Sequence, residues 1–413
     1  MSKLAVLGGE PVRTKQWPDW PDVREADVEA VAKTVASGHW WQYAGEQTLN
    51  IEREFAAYQE ARHGIAVNSG TTALHVALAA LGVGPGDEVI VPAYTFLASA
   101  TSVLLSNAVP IFADVQPDTL NIDPESVAAV ITERTRAIIP VHLAGLPADM
   151  KRLRELAGPG RIALLEDAAQ AHGARWQGHK VGAIGEAGTF SFQASKNLCS
   201  GEGGMILTDD DELAARAAGL RDCGRVRGRP FYEHHTLGYN FRMTEMQSAL
   251  LRSRLGQLEA ETEKRFENGR RLTRELAALP GLEPIDPEPS QGDRRAYHIY
   301  IVRLHSESLG GIARDQFMEA LQAEGVPCFG GYGGPVYRNP VFLAHRFRPR
   351  GCPLSCGHYP ASVDYEQTSC PVTEELCGDL IWISHNLLLG SDQDMRDIVG
   401  AFAKVVAAHR ELL

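Results

Sequence analysis

Four short stretches of the chain hold side chains suited to chemistry. The run "FSFQASKNLCSGEGG", residues 190 to 204, sets Lys196 between a β-patterned segment and a glycine-rich loop. An amine held there can attack a carbonyl once it has lost its proton. In "LLEDAAQAHGA", Asp167 directly follows an apolar run and Gln170 comes three residues later. A carboxylate buried at such a point needs a partner, and a protonated ring nitrogen is one. "VNSGTTALHVAL" places Gly70, Thr71 and Thr72 where a strand turns into a helix. The free N–H groups and positive dipole end there favour a phosphate. "VPAYTFLAS" supplies Tyr94 and Phe96, suited to stacking on a flat ring, and Ser191 adds a hydroxyl just ahead of the lysine. Each stretch alone also has an ordinary reading, as a helix cap, a core aromatic or a solvated lysine.

The elements that must position these residues can be read from the pattern around them. From about residue 48 to 255, helical segments alternate with short apolar runs of strand length: "EVIVPA", "VPIFADV", "AIIPVH", "ALLEDA", "TFSF" and "GMILT". "TLNIEREFAAYQEAR", "TTALHVALAAL", "DPESVAAVI" and "DMKRLRELA" carry helical periodicity. That alternation predicts an α/β fold, a mainly parallel sheet covered by helices, with ligands at the carboxyl ends of the strands. The segment from "MTEMQSALL" to "TRELAAL" predicts one long charged helix. Beyond it, "YHIYIVRL", a helix near "ARDQFMEALQAEG" and a Pro/Gly/Cys-rich region from 328 to 372 predict a smaller α+β domain. The expected division is an N-terminal arm at 1–47, a large domain at 48–255 and a small domain at 256–413.

Composition narrows the function classes. The 413 residues are 44% hydrophobic and 22% charged, enough for a large core. A net charge of −12 gives no general basic surface for nucleic acid. The first residues show no apolar core of signal-peptide length, and seven cysteines form an odd set, which predicts a reducing cytoplasm and no membrane association. Cys352, Cys356, Cys370 and Cys377 are not spaced as paired metal knuckles, so unpaired thiols are expected and no metal is. His142, His298 and His385 read as buried structural histidines.

A phosphate cradle, a stacking aromatic, an acid for a pyridinium nitrogen and an amine able to form a Schiff base are together what pyridoxal 5'-phosphate requires. The wording of "NSGTTALHVAL", "GDEVIVPAYTFLAS", "PVHLAG", "EDAAQAHGA", "FSFQASKNLCSGEGG" and "GYNFRMTEMQSA" resembles the DegT/DnrJ/EryC1/StrS aminotransferases, from about Gly8 to the C-terminus. The resemblance implies fold type I, the aspartate aminotransferase-like fold. It implies Lys196 as the covalent cofactor lysine and proton carrier, Asp167 as the acid at the ring nitrogen and Gln170 as partner of the ring hydroxyl. Phe96 is implied as the stacking residue, and Thr71, Thr72 and Ser191 as phosphate ligands beside Gly70. Asn240 is implied as a phosphate ligand from the other subunit of an obligate homodimer. Relatives with histidine at the lysine position catalyse dehydration, and this chain keeps lysine.

Substrate expectations follow from the same resemblance. Many sugar-nucleotide members read "PVHLYG", whereas this chain reads "PVHLAG" and "SGHWWQYAGEQ", closer to cyclitol aminotransferases of aminoglycoside pathways and to 3-amino-5-hydroxybenzoate synthases. L-glutamine or L-glutamate is the expected donor, and a keto-sugar or keto-cyclitol the acceptor. Trp40, Trp41, Tyr43 and Tyr332 are candidates for the acceptor pocket, although Trp40, Trp41 and Tyr43 equally suit packing of the arm onto the dimer. The 352–377 segment is expected near the active-site mouth. An aromatising lyase of the aminohydroxybenzoate type and a cofactor-binding regulator without turnover stay open; intact Lys196 and Asp167 argue against the regulator.

Overall fold

The computed structural model describes residues 3–344, 347, 352–354, 357–360 and 363–413. Its central sheet is built from β1 (His63–Val67), β2 (Glu88–Pro92), β3 (Val109–Ala113), β4 (Thr135–Ile138) and β5 (Ala163–Asp167). After a small hairpin, β6 (Arg175–Trp176) and β7 (His179–Lys180), it is completed by β8 (Ala187–Ser191) and β9 (Gly204–Thr208). The order is β1-β9-β8-β5-β4-β2-β3. Only β9 runs against its neighbours; the pairs β8/β5, β5/β4, β4/β2 and β2/β3 are parallel. β2, β8 and β9 are buried along their whole length, as strands covered on both faces by helices must be. This is the α/β fold with a mainly parallel sheet that the residue pattern predicts.

Polarity sets where the site can form. β1, β2, β5 and β8 run in one sense, so their carboxyl ends lie along one edge of the sheet. At that edge stand Ser69 and Gly70 after β1, Tyr94 and Phe96 after β2, Asp167 ending β5 and Ser191 ending β8. The helix Gly70–Ala80 buries seven of its residues, Ala73 to Leu78 and Ala80, so its start is pinned by its own packing. Each fully buried Leu or Val there contributes about 1.5–3 kcal/mol.

A second, antiparallel sheet holds β10 (Leu282–Pro284), β11 (Ile299–Leu304) and β12 (Leu380–Ser384). Helices Leu258–Leu276, Arg314–Ala323 and Asp392–Ala408 pack on it around a core that includes Phe317, Leu321, Ile383 and Phe402. The long charged helix expected from the sequence is in fact two, Glu245–Leu255 and Leu258–Leu276, parted at Gly256. Gly256 lacks a side chain to hold the turn, and the first helix packs against Glu25–Ser37 and Gln47–Tyr58 instead of continuing toward the second sheet. The 352–377 segment also departs from expectation. Its described part packs on the β2–β3 side, Tyr359 bonding to Glu88 and Tyr365 to the Pro110 carbonyl, and none of it lines the cavity described below. Cys356 lies outside the described residues, whereas Cys370 and Cys377 are free thiols. Among the described residues, no helix is long and apolar enough to cross a membrane.

Candidate active site

The carboxylate that closes β5 is the natural starting point. Asp167 is buried. Ser99 Oγ donates to its Oδ2 at 2.7 Å, and the Ala169 N–H donates to Oδ1 at 3.2 Å. Ser99 in turn contacts the Thr95 hydroxyl at 3.0 Å. Burial pushes the Asp167 carboxyl above the ordinary range, while Ser99, the Ala169 N–H and the charge of Lys196 pull it back. A carboxylate in that state gains most from a protonated partner within hydrogen-bond reach.

Behind Asp167, its sequence neighbour Glu166 faces the opposite side of the sheet. The Glu166 carboxylate is fully enclosed, accepts from the N–H groups of Gly182, Ile184 and Gly185, and lies 2.9 Å from His142 Nε2. His142 Nδ1 accepts from the Ala148 N–H, so this histidine is structural, as expected. The His142 N–H also donates to the Asp167 carbonyl, which ties the strand end in place.

Lys196 follows β8 on a loop closed by its own backbone: Phe192 N–H to the Gly203 carbonyl, Ala194 N–H to Gly201 and Lys196 N–H to Gln193. Burial lowers the Lys196 amine from 10.5 to about 8, and the charge of Asp167 acts in the other direction. A substantial fraction of the amine is therefore neutral near physiological pH, the form a carbonyl nucleophile needs.

The start of the helix Gly70–Ala80 is bare. Ser69 caps the helix by accepting from the Thr72 N–H at 3.1 Å. The first intrahelical bond is Ala73 N–H to the Ser69 carbonyl, which leaves the Gly70 and Thr71 N–H groups outside the ladder. A Cβ on Gly70 would lie 2.7 Å from Ser191 Cβ, so only glycine lets the helix start approach the end of β8. Above it, the Phe96 ring is 58% exposed, unusual for a large aromatic beside a core. Tyr332 completes this wall. It accepts from Gln170 Nε2 at 2.8 Å, and Gln170 Oε1 accepts from the Ala144 N–H. Gly331, at φ 71°, brings Tyr332 close: a Cβ there would meet Tyr94 Oη at 2.6 Å.

These groups share one cavity of about 860 Å³. Of the predicted residues, Gly70, Thr71, Phe96 and Ser191 line it toward the helix start. Asp167, Gln170, Lys196 and Tyr332 line it as well. The others do not reach it. Thr72 is close by, but its hydroxyl turns back to Ser69 Oγ at 2.8 Å, inside the cap. Trp40, Trp41, Tyr43 and Asn240 lie on the surface instead. Trp41 and Tyr43 pack on Phe231, the Tyr43 hydroxyl donates to Asp222, and Asn240 forms a backbone bridge with Asp222. Within one chain, then, the two tryptophans and Tyr43 are not walls of the acceptor pocket, because the loop that carries them packs on residues 222–242.

The residues fit pyridoxal phosphate: an exposed aromatic at Phe96, free N–H groups at Gly70 and Thr71, and a buried carboxyl at Asp167 share a cavity with the Lys196 amine. Comparison with known proteins agrees. The model of the DegT/DnrJ/EryC1/StrS aminotransferase family matches residues 21–403. The chain belongs to that family. It is a pyridoxal-phosphate-dependent aminotransferase. The aminotransferase is 41% identical to the L-glutamine:2-deoxy-scyllo-inosose aminotransferase of Streptomyces paromomycinus, over 98% of this chain and 97% of that one. It is 36% identical to the 3-amino-5-hydroxybenzoate synthase of Amycolatopsis mediterranei, over 96% and 98%. Among solved structures, a 3-amino-5-hydroxybenzoic acid synthase superposes with a TM-score of 0.85 at 35% identity, covering 96% of this chain and 100% of that one.

The aminotransferase cavity also draws on residues the sequence pattern does not nominate. Ser99 supports Asp167 from behind, Trp20 enters from the arm, and Trp382, Ser384 and Asn386 stand around the end of β12. His298 and His385, read as structural, line the cavity as well. The rule that ligands sit at strand ends would have found Asn386 and His385 had it been applied to the second sheet. Trp20 carries no comparable signal, since its place depends on where the arm lies.

Proposed function

We propose that this aminotransferase moves the amino group of L-glutamine to a keto-cyclitol, in the manner of the inosose aminotransferases it resembles. The observation that carries the reading is Lys196 and Asp167 on one cavity, the amine at about 8 and the carboxyl raised by burial. When bound, the cofactor supplies an electron-accepting ring that stabilises negative charge at the substrate carbon. Asp167, held by the hydrogen bond from Ser99, would pair with the protonated ring nitrogen. Lys196 Nζ would hold the cofactor when it is bound and, once released, would serve as the general base that accepts and returns a proton at the substrate carbon. The Gly70 and Thr71 N–H groups with the Ser191 hydroxyl would hold the phosphate, Phe96 would stack on the ring, and Gln170 would pair with the ring hydroxyl.

Asn240 belongs to this reading only if a second copy is present. It lies off the cavity of its own chain, on a surface that also exposes Tyr232 (86%) and Leu237 (84%). A homodimer that buries this surface and places Asn240 at its partner's phosphate site accounts for both facts. A second reading, an aromatising synthase, is favoured by the backbone match to 3-amino-5-hydroxybenzoic acid synthase. Product analysis separates the two. Incubation with L-glutamine and 2-deoxy-scyllo-inosose should give an aminocyclitol, whereas an aminodehydroshikimate converted to an aromatic acid would replace that conclusion.

A further inference from the structure

The roles assigned above leave the His298 ring unused. His298 stands immediately before β11, lines the cavity and is 6% exposed. Its Nδ1 lies 3.2 Å from Asn197 Oδ1, while Asn197 Nδ2 donates to the Ala296 carbonyl at 2.9 Å. A carbonyl can only accept, so the Asn197 amide is fixed with its oxygen toward the histidine. His298 therefore carries its proton on Nδ1, and Nε2 presents a lone pair. No hydrogen bond within the protein satisfies that nitrogen among the described residues. Burial first, and the charge of Lys196 second, hold the ring well below the ordinary histidine range, so it is neutral at pH 7. His385 backs it at a ring separation of 5.6 Å and commits its own Nε2 to the Ser195 carbonyl.

A neutral lone pair attracts an O–H or N–H donor and has no use for an anion. Of the polar groups nearby, Asp167 is engaged by Ser99 and Ala169, and Gln170 by Ala144 and Tyr332, whereas Trp382 Nε1 has no partner and can only donate. Among the described residues, no arginine lines the cavity. We propose that His298 Nε2 accepts a hydrogen bond from a ring hydroxyl of the keto acceptor, and so selects hydroxylated cyclic ketones over ketones that lack that hydroxyl. The inference rests on the amino-transfer reading above. Its physical basis is that a ketone without the hydroxyl leaves Nε2 shut away from water and unpaired. L-glutamine also offers N–H donors from its amide, so the two half-reactions must be read separately.

Wild type, His298→Leu and His298→Gln are loaded with cofactor, and the visible band is followed as L-glutamine is added. The amine form is then titrated with 2-deoxy-scyllo-inosose and with cyclohexanone, and half-saturation is read from the returning band. His298→Leu should raise half-saturation for the polyol by about tenfold and leave cyclohexanone and the glutamine half-reaction within about twofold, with partial recovery in His298→Gln. Should the Leu variant lose its cofactor, His298→Phe, which keeps the ring volume, repeats the comparison. An unchanged ratio of polyol to cyclohexanone overturns the proposal. A tenfold loss confined to the glutamine half-reaction also overturns it and moves the hydrogen bond to the donor. If wild type responds to neither L-glutamine nor L-glutamate, the amino-transfer reading itself has failed, and the proposal falls with it.

Discussion

In the proposed mechanism Lys196 and Asp167 carry the chemistry, and burial works on the two in opposite senses: it drives the Lys196 amine down and the Asp167 carboxyl up. The consequence for pH is specific. Only the neutral amine attacks a carbonyl, so capture of pyridoxal phosphate by the apoprotein should quicken as pH rises toward 8 and then level off. An unperturbed lysine would keep gaining up to 10.5, and stopped-flow absorbance across that range distinguishes the two. Ser99 is the cheapest way to disturb the acid. Ser99→Ala removes a bond to a charged group worth about 1.5–3 kcal/mol, raises the Asp167 carboxyl further and should weaken cofactor binding by about tenfold or more. A cofactor titration of the apoprotein reads that change directly. Asp167 and Lys196 are visible in the sequence because each follows an apolar run at a strand end. Ser99 is not, because its role depends on the turn after Tyr94 folding back over β5, a contact between positions 68 residues apart.

At the scale of elements, the site depends on two tight fits. Gly70→Ala puts a Cβ 2.7 Å from Ser191, so the helix start must move away from the end of β8. We expect cofactor affinity to fall sharply, with far-ultraviolet circular dichroism unchanged. Glu166, held by three N–H groups and His142, anchors β5 from behind. Its replacement by alanine strands those donors in the core and should cost about 3–5 kcal/mol in urea unfolding. The main sheet was legible because buried parallel strands announce themselves as short apolar runs between amphipathic helices. Less legible was the break at Gly256, since helical periodicity continues on both sides and only packing shows that the two halves serve different neighbours. The second sheet's contribution to the cavity, His298 and the end of β12, was hidden for a related reason. Nothing local in "YHIYIVRL" says which edge of which sheet it will face.

For the whole molecule, the surface formed by residues 37–44 and 222–242 is where the proposed homodimer would join. If Asn240 acts in the partner's cavity, mixing Lys196→Ala with Asn240→Ala chains should restore part of the activity that each variant lacks, because one site of each mixed dimer then carries neither lesion. No recovery on subunit exchange would place Asn240 outside the site. Whether Lys196 is the lysine of an amino-transfer site can be read from the visible absorption spectrum of the cofactor-loaded protein before and after addition of L-glutamine. The expected result is a band for cofactor joined to protein that gives way to the amine-form band, and no such change in Lys196→Ala. Cofactor bound equally by wild type and Lys196→Ala, with no response to L-glutamine or L-glutamate in either, would remove Lys196 from that role.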